Sequence, residues 1–233
     1  MDRLLALGVL VCLGGISVVF HVAYRESNAP AMINAFVSFL LVLVPLLVDG
    51  IADVLYGIPL GLTPGLSLWI AVAGVAHSYG MLGPYDEIWW WDHLTHTLSA
   101  ALIAALIYAG VLVSTDHLSI SADGSLIWAV VLLLTVLAGV FWELIELLAR
   151  DVGRQFGVPP VLEHYGRRDT VLDLLFDVVG AVGVLALDVQ LFVPMAEVAP
   201  GVTVAALAWG IGALVVGSLI MSLVVVIGQA ESS

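Results

Sequence analysis

The stretch from Leu126 to Ala149, LIWAVVLLLTVLAGVFWELIELLA, decides the fold. Its only charged residues are Glu143 and Glu146 near its end, and it contains no proline. At about 1.5 Å of rise per residue, a helix of this length crosses the roughly 30 Å hydrocarbon layer of a bilayer. Runs of similar character recur along the chain at Leu4–Ala23, Ile33–Tyr56, Leu60–Tyr79, His93–Val113, Thr170–Phe192 and Val202–Ile227. They predict an all-α, polytopic transmembrane bundle of about seven helices, with residues 1–233 forming one integral membrane domain. No small-residue cleavage site follows the first run, so it reads as a retained helix rather than a signal peptide.

Composition agrees. Apolar residues make up 62% of the chain and charged residues 11%, and mean hydropathy is +1.14, against about half apolar and a quarter charged in soluble domains. There are 19 acidic and 6 basic residues, and every basic residue is arginine. With a pI near 4.4, nucleic acid is excluded as a partner. The absence of lysine excludes a retinal Schiff base. Cys12 stands alone, which excludes disulfides, thiolate zinc sites and iron–sulfur clusters. Membrane lipid is the partner that remains, and the sequence leaves the oligomeric state open. Arg150, Arg154, Arg167 and Arg168 flank the connector between the fifth and sixth segments, which places it on the cytoplasmic side of the cell membrane. Counting along the chain then puts the N-terminus outside and the C-terminus inside, with Arg3 the one dissenter.

A charge at the centre of a membrane helix costs roughly 2.5–3.5 kcal/mol on insertion scales, so the acids and histidines point to function. Asp92, His93 and His96 open the fourth segment. Glu143 and Glu146 end the fifth, and Asp169, Asp173 and Asp177 open the sixth. Successive segments alternate direction, so these three groups share one side of the membrane, together with His21, Asn34 and His77. Steps of three and four keep each group on one helix face. So many carboxylates without a lysine must share protons, pair with arginine or bind cations. Carboxylates with imidazole suit Zn²⁺, Mn²⁺ or Fe²⁺, and carboxylates with water suit Mg²⁺. His96, Glu143, Glu146 and Asp173 are therefore candidate metal ligands. Asp92 and Asp169 are candidate catalytic acids or bases, and His93, Asp177, His77 and Arg168 are candidates to orient them.

Three motifs carry a family resemblance. Trp91-Asp92 with His96, Trp142-Glu143 with Glu146, and Asp169-Thr170 with Asp173 and the later Gly180-Ala181 resemble the motifs of the YjdF-like family of small prokaryotic membrane proteins. The resemblance covers roughly residues 43–184. His93 stands where that family often has a second acid, and Val171 where it often has glutamine. The family supplies no reaction, so the resemblance supports the choice of residues alone.

Plainer roles compete at several positions. Asp92 and Asp169 can serve as helix N-caps. Trp89, Trp90 and Trp91 read as an interfacial belt, His21 and His77 as interior histidines, and the Gly180–Gly183 and Gly210–Gly212 pairs as close helix contacts. Arg167 and Arg168 read as anchors on the inner side or as partners for the acids, and His164, beside Glu163, is a loop residue first and a candidate lid second. Three functions stay open at this point. They are a metal-dependent hydrolase or transferase acting on a lipid or amphiphile, a non-catalytic assembly subunit, and a proton or divalent-cation transporter with Asp49, Asp53 and Asp188 as an outer vestibule.

Overall fold

In the computed structural model, residues 2–57, 64–162 and 166–231 are described, and among them every regular element is a helix. The order is α1 (Asp2–Arg25), α2 (Ala29–Tyr56), α3 (Pro64–Gly80), α4 (Pro84–Glu87), α5 (Trp91–His117), α6 (Gly124–Phe156), α7 (Arg167–Ala186), α8 (Val193–Glu197) and α9 (Pro200–Glu231). The seven long helices are those expected, and α4 and α8 are short additions in connectors. Five of the long helices, α1, α2, α5, α6 and α9, have both the length and the composition to cross a membrane. The other two depart for visible reasons: α3 is 17 residues long as described, and α7 carries two arginines and three aspartates in 20 residues. The predicted start of the third segment, Leu60 to Thr63, lies outside the described residues.

Local chemistry sets the helix ends. Asn28 caps α2 by accepting from the Ala31 N–H at 3.0 Å, and Asp123 caps α6 by accepting from the Leu126 N–H at 2.8 Å. Helix α6 runs seven residues past its predicted end at Ala149 because nothing breaks it before Gly157, whose φ of 66° closes it. Helix α7 stops at Ala186, short of the predicted Phe192, where Asp188 turns to φ 48°.

Two apolar cores result. One joins α1, α2 and α3 through Ile16, Val42 and Ala71. The other joins α5, α6 and α7 through Ala104, Val131 and Val184. Helix α3 ties them together, since the Trp69 indole donates to the Leu98 carbonyl at 3.1 Å and the Trp91 indole to the Ala76 carbonyl at 3.1 Å. In lipid, helices associate by close packing of small residues rather than by expelling water. The α5 face that meets its neighbours is accordingly Ala100, Ala104, Ala105 and Ala109, all buried.

Helices α5 and α7 run parallel. His93 pairs with Asp173, His96 with Asp177 and Tyr108 with Asp188, at sequence separations of 80, 81 and 80. A constant offset is what two parallel helices in register produce. Their closest approach is at Gly180, where an added Cβ would lie 2.5 Å from the Thr97 carbonyl oxygen. The other glycines read as contacts, Gly183, Gly210 and Gly212, have nothing within 4 Å of that position. Of the expected glycine contacts, only Gly180 makes one.

Candidate metal centre

The parallel register of α5 and α7 builds the site. His93 and His96, one turn apart on α5, face Asp173 and Asp177, one turn apart on α7. His93 Nδ1 lies 3.3 Å from Asp173 Oδ1 and His96 Nδ1 lies 3.2 Å from Asp177 Oδ1. The His93 ring also stacks on Phe176, with ring centres 4.5 Å apart and planes 5° from parallel. Asp173 and Asp177 are 1% and 4% exposed and His96 is 6% exposed, so these pairs sit in the interior of the protein.

The other side of His96 completes a three-residue group. Its Nε2 faces Asp92 Oδ1 at 3.9 Å. Asp92, His96 and Asp173 each offer one ligand atom, and these atoms lie within 4.8 Å of one another. When Nδ1–H of His96 donates to Asp177, Nε2 presents a lone pair to two carboxylates. Three acceptors facing one another need a shared proton or a cation between them. A histidine whose outer nitrogen donates to a carboxylate is also the usual arrangement at metal sites, because that bond fixes the tautomer and the ring orientation.

The remaining sequence candidates fall around this group. Glu143 is 4% exposed on α6, and Glu146 accepts from the Trp142 indole at 2.8 Å. Neither joins the three-residue group, yet both belong to the same field: the charges of His96, Asp92, Asp169 and Glu143 all act on Asp173, and those of Glu143, His96 and Asp92 act on Glu146. Asp169 is half-buried at the start of α7, and Arg167 and Arg168 are exposed beside it. Arg150 pairs with its chain neighbour Asp151 at 3.1 Å. Histidine rather than arginine therefore faces the α7 acids. His21, expected in the interior, is exposed. His164, the lid candidate, and Glu163 beside it lie outside the described residues.

His77 is held within a chain of hydroxyls. Its Nδ1 lies 2.6 Å from the Tyr85 hydroxyl and its Nε2 lies 3.1 Å from Ser99 Oγ. Tyr85 donates to Thr95 Oγ1 at 3.3 Å, and Thr95 donates to the Asp92 carbonyl at 2.7 Å. The role of Tyr85 had no sequence signal, since nothing in a connector Pro-Tyr-Asp marks a hydroxyl that will meet a histidine on the preceding helix. Trp91 was also misread in part. Trp89 is 79% exposed, as a belt residue should be, but Trp91 turns inward to Ala76.

Two cavities meet at this wall. A chamber of about 350 Å³ is lined by His77, His96, Ser99 and Asp177 together with Ile103, Ala138, Phe141, Ile145 and Leu214. A small polar pocket of about 20 Å³ is lined by Asp92, Glu146, His77, Tyr85 and Asn34, among others. The second holds about one water, which needs roughly 10–15 Å³. His77 and Trp142 border both.

The family model described as a predicted membrane protein (DUF2238) matches residues 5–192. The YjdF-like resemblance agrees with this match, which reaches beyond residues 43–184 to take in α1. No curated protein and no solved structure matches the chain.

Proposed function

We propose, from the premise that this chain belongs to the DUF2238 family of predicted membrane proteins, that its buried His/Asp cluster is a divalent-metal centre for hydrolysis or group transfer on an amphiphilic substrate. The observation that carries this reading is the convergence of Asp92, His96 and Asp173 on one point while Asp177 holds the far nitrogen of His96. A closed packing cluster would have no reason to leave space beside it, whereas here an apolar chamber and a water-sized polar pocket adjoin the same residues.

In this reading Asp92, His96 and Asp173 hold the ion, and Asp177 and His93 orient His96 and Asp173. When bound, the ion supplies Lewis-acid polarisation of the substrate head group. Glu146, across the small pocket from Asp92, takes the proton from a water held there. The Trp142 indole fixes the Glu146 carboxylate for that task. His77, locked between Tyr85 and Ser99, borders both cavities and can pass a proton between them. The chemistry lies at the cytoplasmic end of the bundle in the orientation that the arginines favour.

The test is metal content by mass spectrometry on the purified protein and on His96→Ala and Asp173→Asn. Near-stoichiometric metal in the wild type, lost in both variants, is the expected result. Metal-free wild type that stays folded after incubation with Zn²⁺, Mn²⁺ and Fe²⁺ would sink the reading and leave the cluster as a proton-sharing packing device.

A further inference from the structure

We infer that the 350 Å³ chamber is the seat of a single hydrocarbon tail, so that the amphiphile acted on has one medium-length chain rather than the paired tails of a phospholipid. For the head group this rests on the metal-centre reading. For the tail it stands on the chamber alone.

The chamber is polar toward the cluster, where His77, His96, Ser99 and Asp177 line it. Beyond them the lining is Ile103, Ala138 and Leu214 from α5, α6 and α9, with Thr135, whose hydroxyl already donates to the Val131 carbonyl. An amphiphile entering with its tail along those walls would bring its head to the cluster, and the reverse pose would bury a polar head against Ile103 and Leu214 at high cost. The volume lies at the small end of the roughly 300–1,000 Å³ range of ligand sites. A volume at that end of the range suits one medium-length chain, and a second tail would have to lie outside the chamber.

The chamber also has a wall at the protein surface and a wall that is sealed. Ile103 lines it and is 39% exposed, so its α5 wall borders the lipid-facing exterior, where a tail can enter sideways from the bilayer. On the α9 side Phe141 lies against Gly217, where an added Cβ would come within 2.6 Å of the ring. Only the absence of a side chain at 217 lets Phe141 close that seam. A tail that runs toward α9 meets this seam, and a seam that stops it would make the chamber a site that measures chain length.

The experiment uses photoreactive fatty alcohols carrying a terminal diazirine, in octyl, dodecyl and hexadecyl lengths. The full-length protein is held in digitonin, which has no flexible alkyl tail to compete. Cross-linked peptides are mapped by mass spectrometry. Labelling is expected at Ile103, Ala138 and Leu214, stronger for dodecyl than for hexadecyl. Ala138→Phe and Leu214→Trp, which fill the chamber from different helices, should each reduce it about tenfold. Because the alcohol is uncharged, Asp173→Asn should retain the labelling even as it loses metal. Failure of the metal reading and failure of the tail site are thereby told apart. Labelling that spreads over the exposed face of α9 at Trp209 and Leu219, unchanged in both filled variants, would overturn the inference. So would equal labelling of the chamber by a two-tailed diazirine phospholipid.

Discussion

Helices α5 and α7 meet aspartates at both ends of their contact, and the two ends differ in what the aspartates are given. At one end Asp173 and Asp177 are buried and face imidazoles, with Asp92 and the α6 glutamates adding like charge nearby. At the other, Asp188 is exposed and saturated by neutral donors: the Tyr108 hydroxyl at 2.7 Å and the Gln190 amide at 2.9 Å to each oxygen. The Asp188 end is a clasp, since a solvated carboxylate with three donors needs no counter-ion. The Asp173 end is in charge deficit, because buried carboxylates without arginine partners require protons or a cation. The same register produces a fastening at one end and a candidate metal site at the other, and depth makes the difference.

The largest effect should come from breaking the register that both ends share. Gly180→Ala places a Cβ 2.5 Å from the Thr97 carbonyl oxygen and 3.0 Å from the Ala101 nitrogen. Both atoms are backbone and neither can rotate away. The expected cost is about 3 kcal/mol, the upper part of the usual range for overpacking, read as a lower thermal midpoint together with loss of metal binding. Gly183→Ala, three residues on in open space, should instead gain up to about 1 kcal/mol from helix propensity. Equal behaviour of the two variants would mean that the α5–α7 contact does not control the site.

The second effect separates the ends by function. Asp177→Asn keeps the shape but weakens the hold on His96 Nδ1, and such outer partners typically account for about 10–100-fold in metal affinity. Asp188→Asn should change metal affinity less than about twofold, because distant sites act independently. Metal titration of the two variants against wild type decides. An Asp188→Asn effect as large as that of Asp177→Asn would show that the clasp transmits to the centre.

These comparisons rest on features of unequal legibility. The helices could be read from runs such as 126–149, because bilayer thickness demands length and apolarity together. The polar faces could be read too, since Asp92 with His96, and Asp169 with Asp173 and Asp177, repeat at the helical period. Which residue would meet which could not. Glu146, expected as a ligand, accepts from Trp142 four residues back, a local bond that the helical period does not announce. Asp92, ranked as a catalytic acid or base, falls among the three converging atoms. Asp177 pairs with His96 across 81 residues and His93 with Asp173 across 80, in a register that Gly180 and the alanine face of α5 permit. One glycine among 23 gave no warning of that role, and the neighbouring Gly183, which looks the same in sequence, makes no contact.

The smallest effect concerns the clasp alone. Gln190 and Tyr108, in that order of influence, stabilise the ionised Asp188 and hold its carboxyl below the ordinary aspartate value of 3.8. A group whose value is lowered on folding adds stability that is complete above its unfolded value and disappears as pH falls through the folded one. Other acids also titrate in this range, so the informative quantity is the thermal midpoint of the wild type minus that of Asp188→Asn. Asparagine tolerates the positive φ at this position and leaves every other acid in place. That difference should be flat above about pH 5 and shrink at lower pH, while a metal-loaded centre loses its ion through its own carboxylates in both proteins alike. A difference that stays constant to the acid limit would mean that Tyr108 and Gln190 bind Asp188 no better charged than neutral, and the contrast between a saturated end and a charge-deficient end would then lose its electrostatic basis.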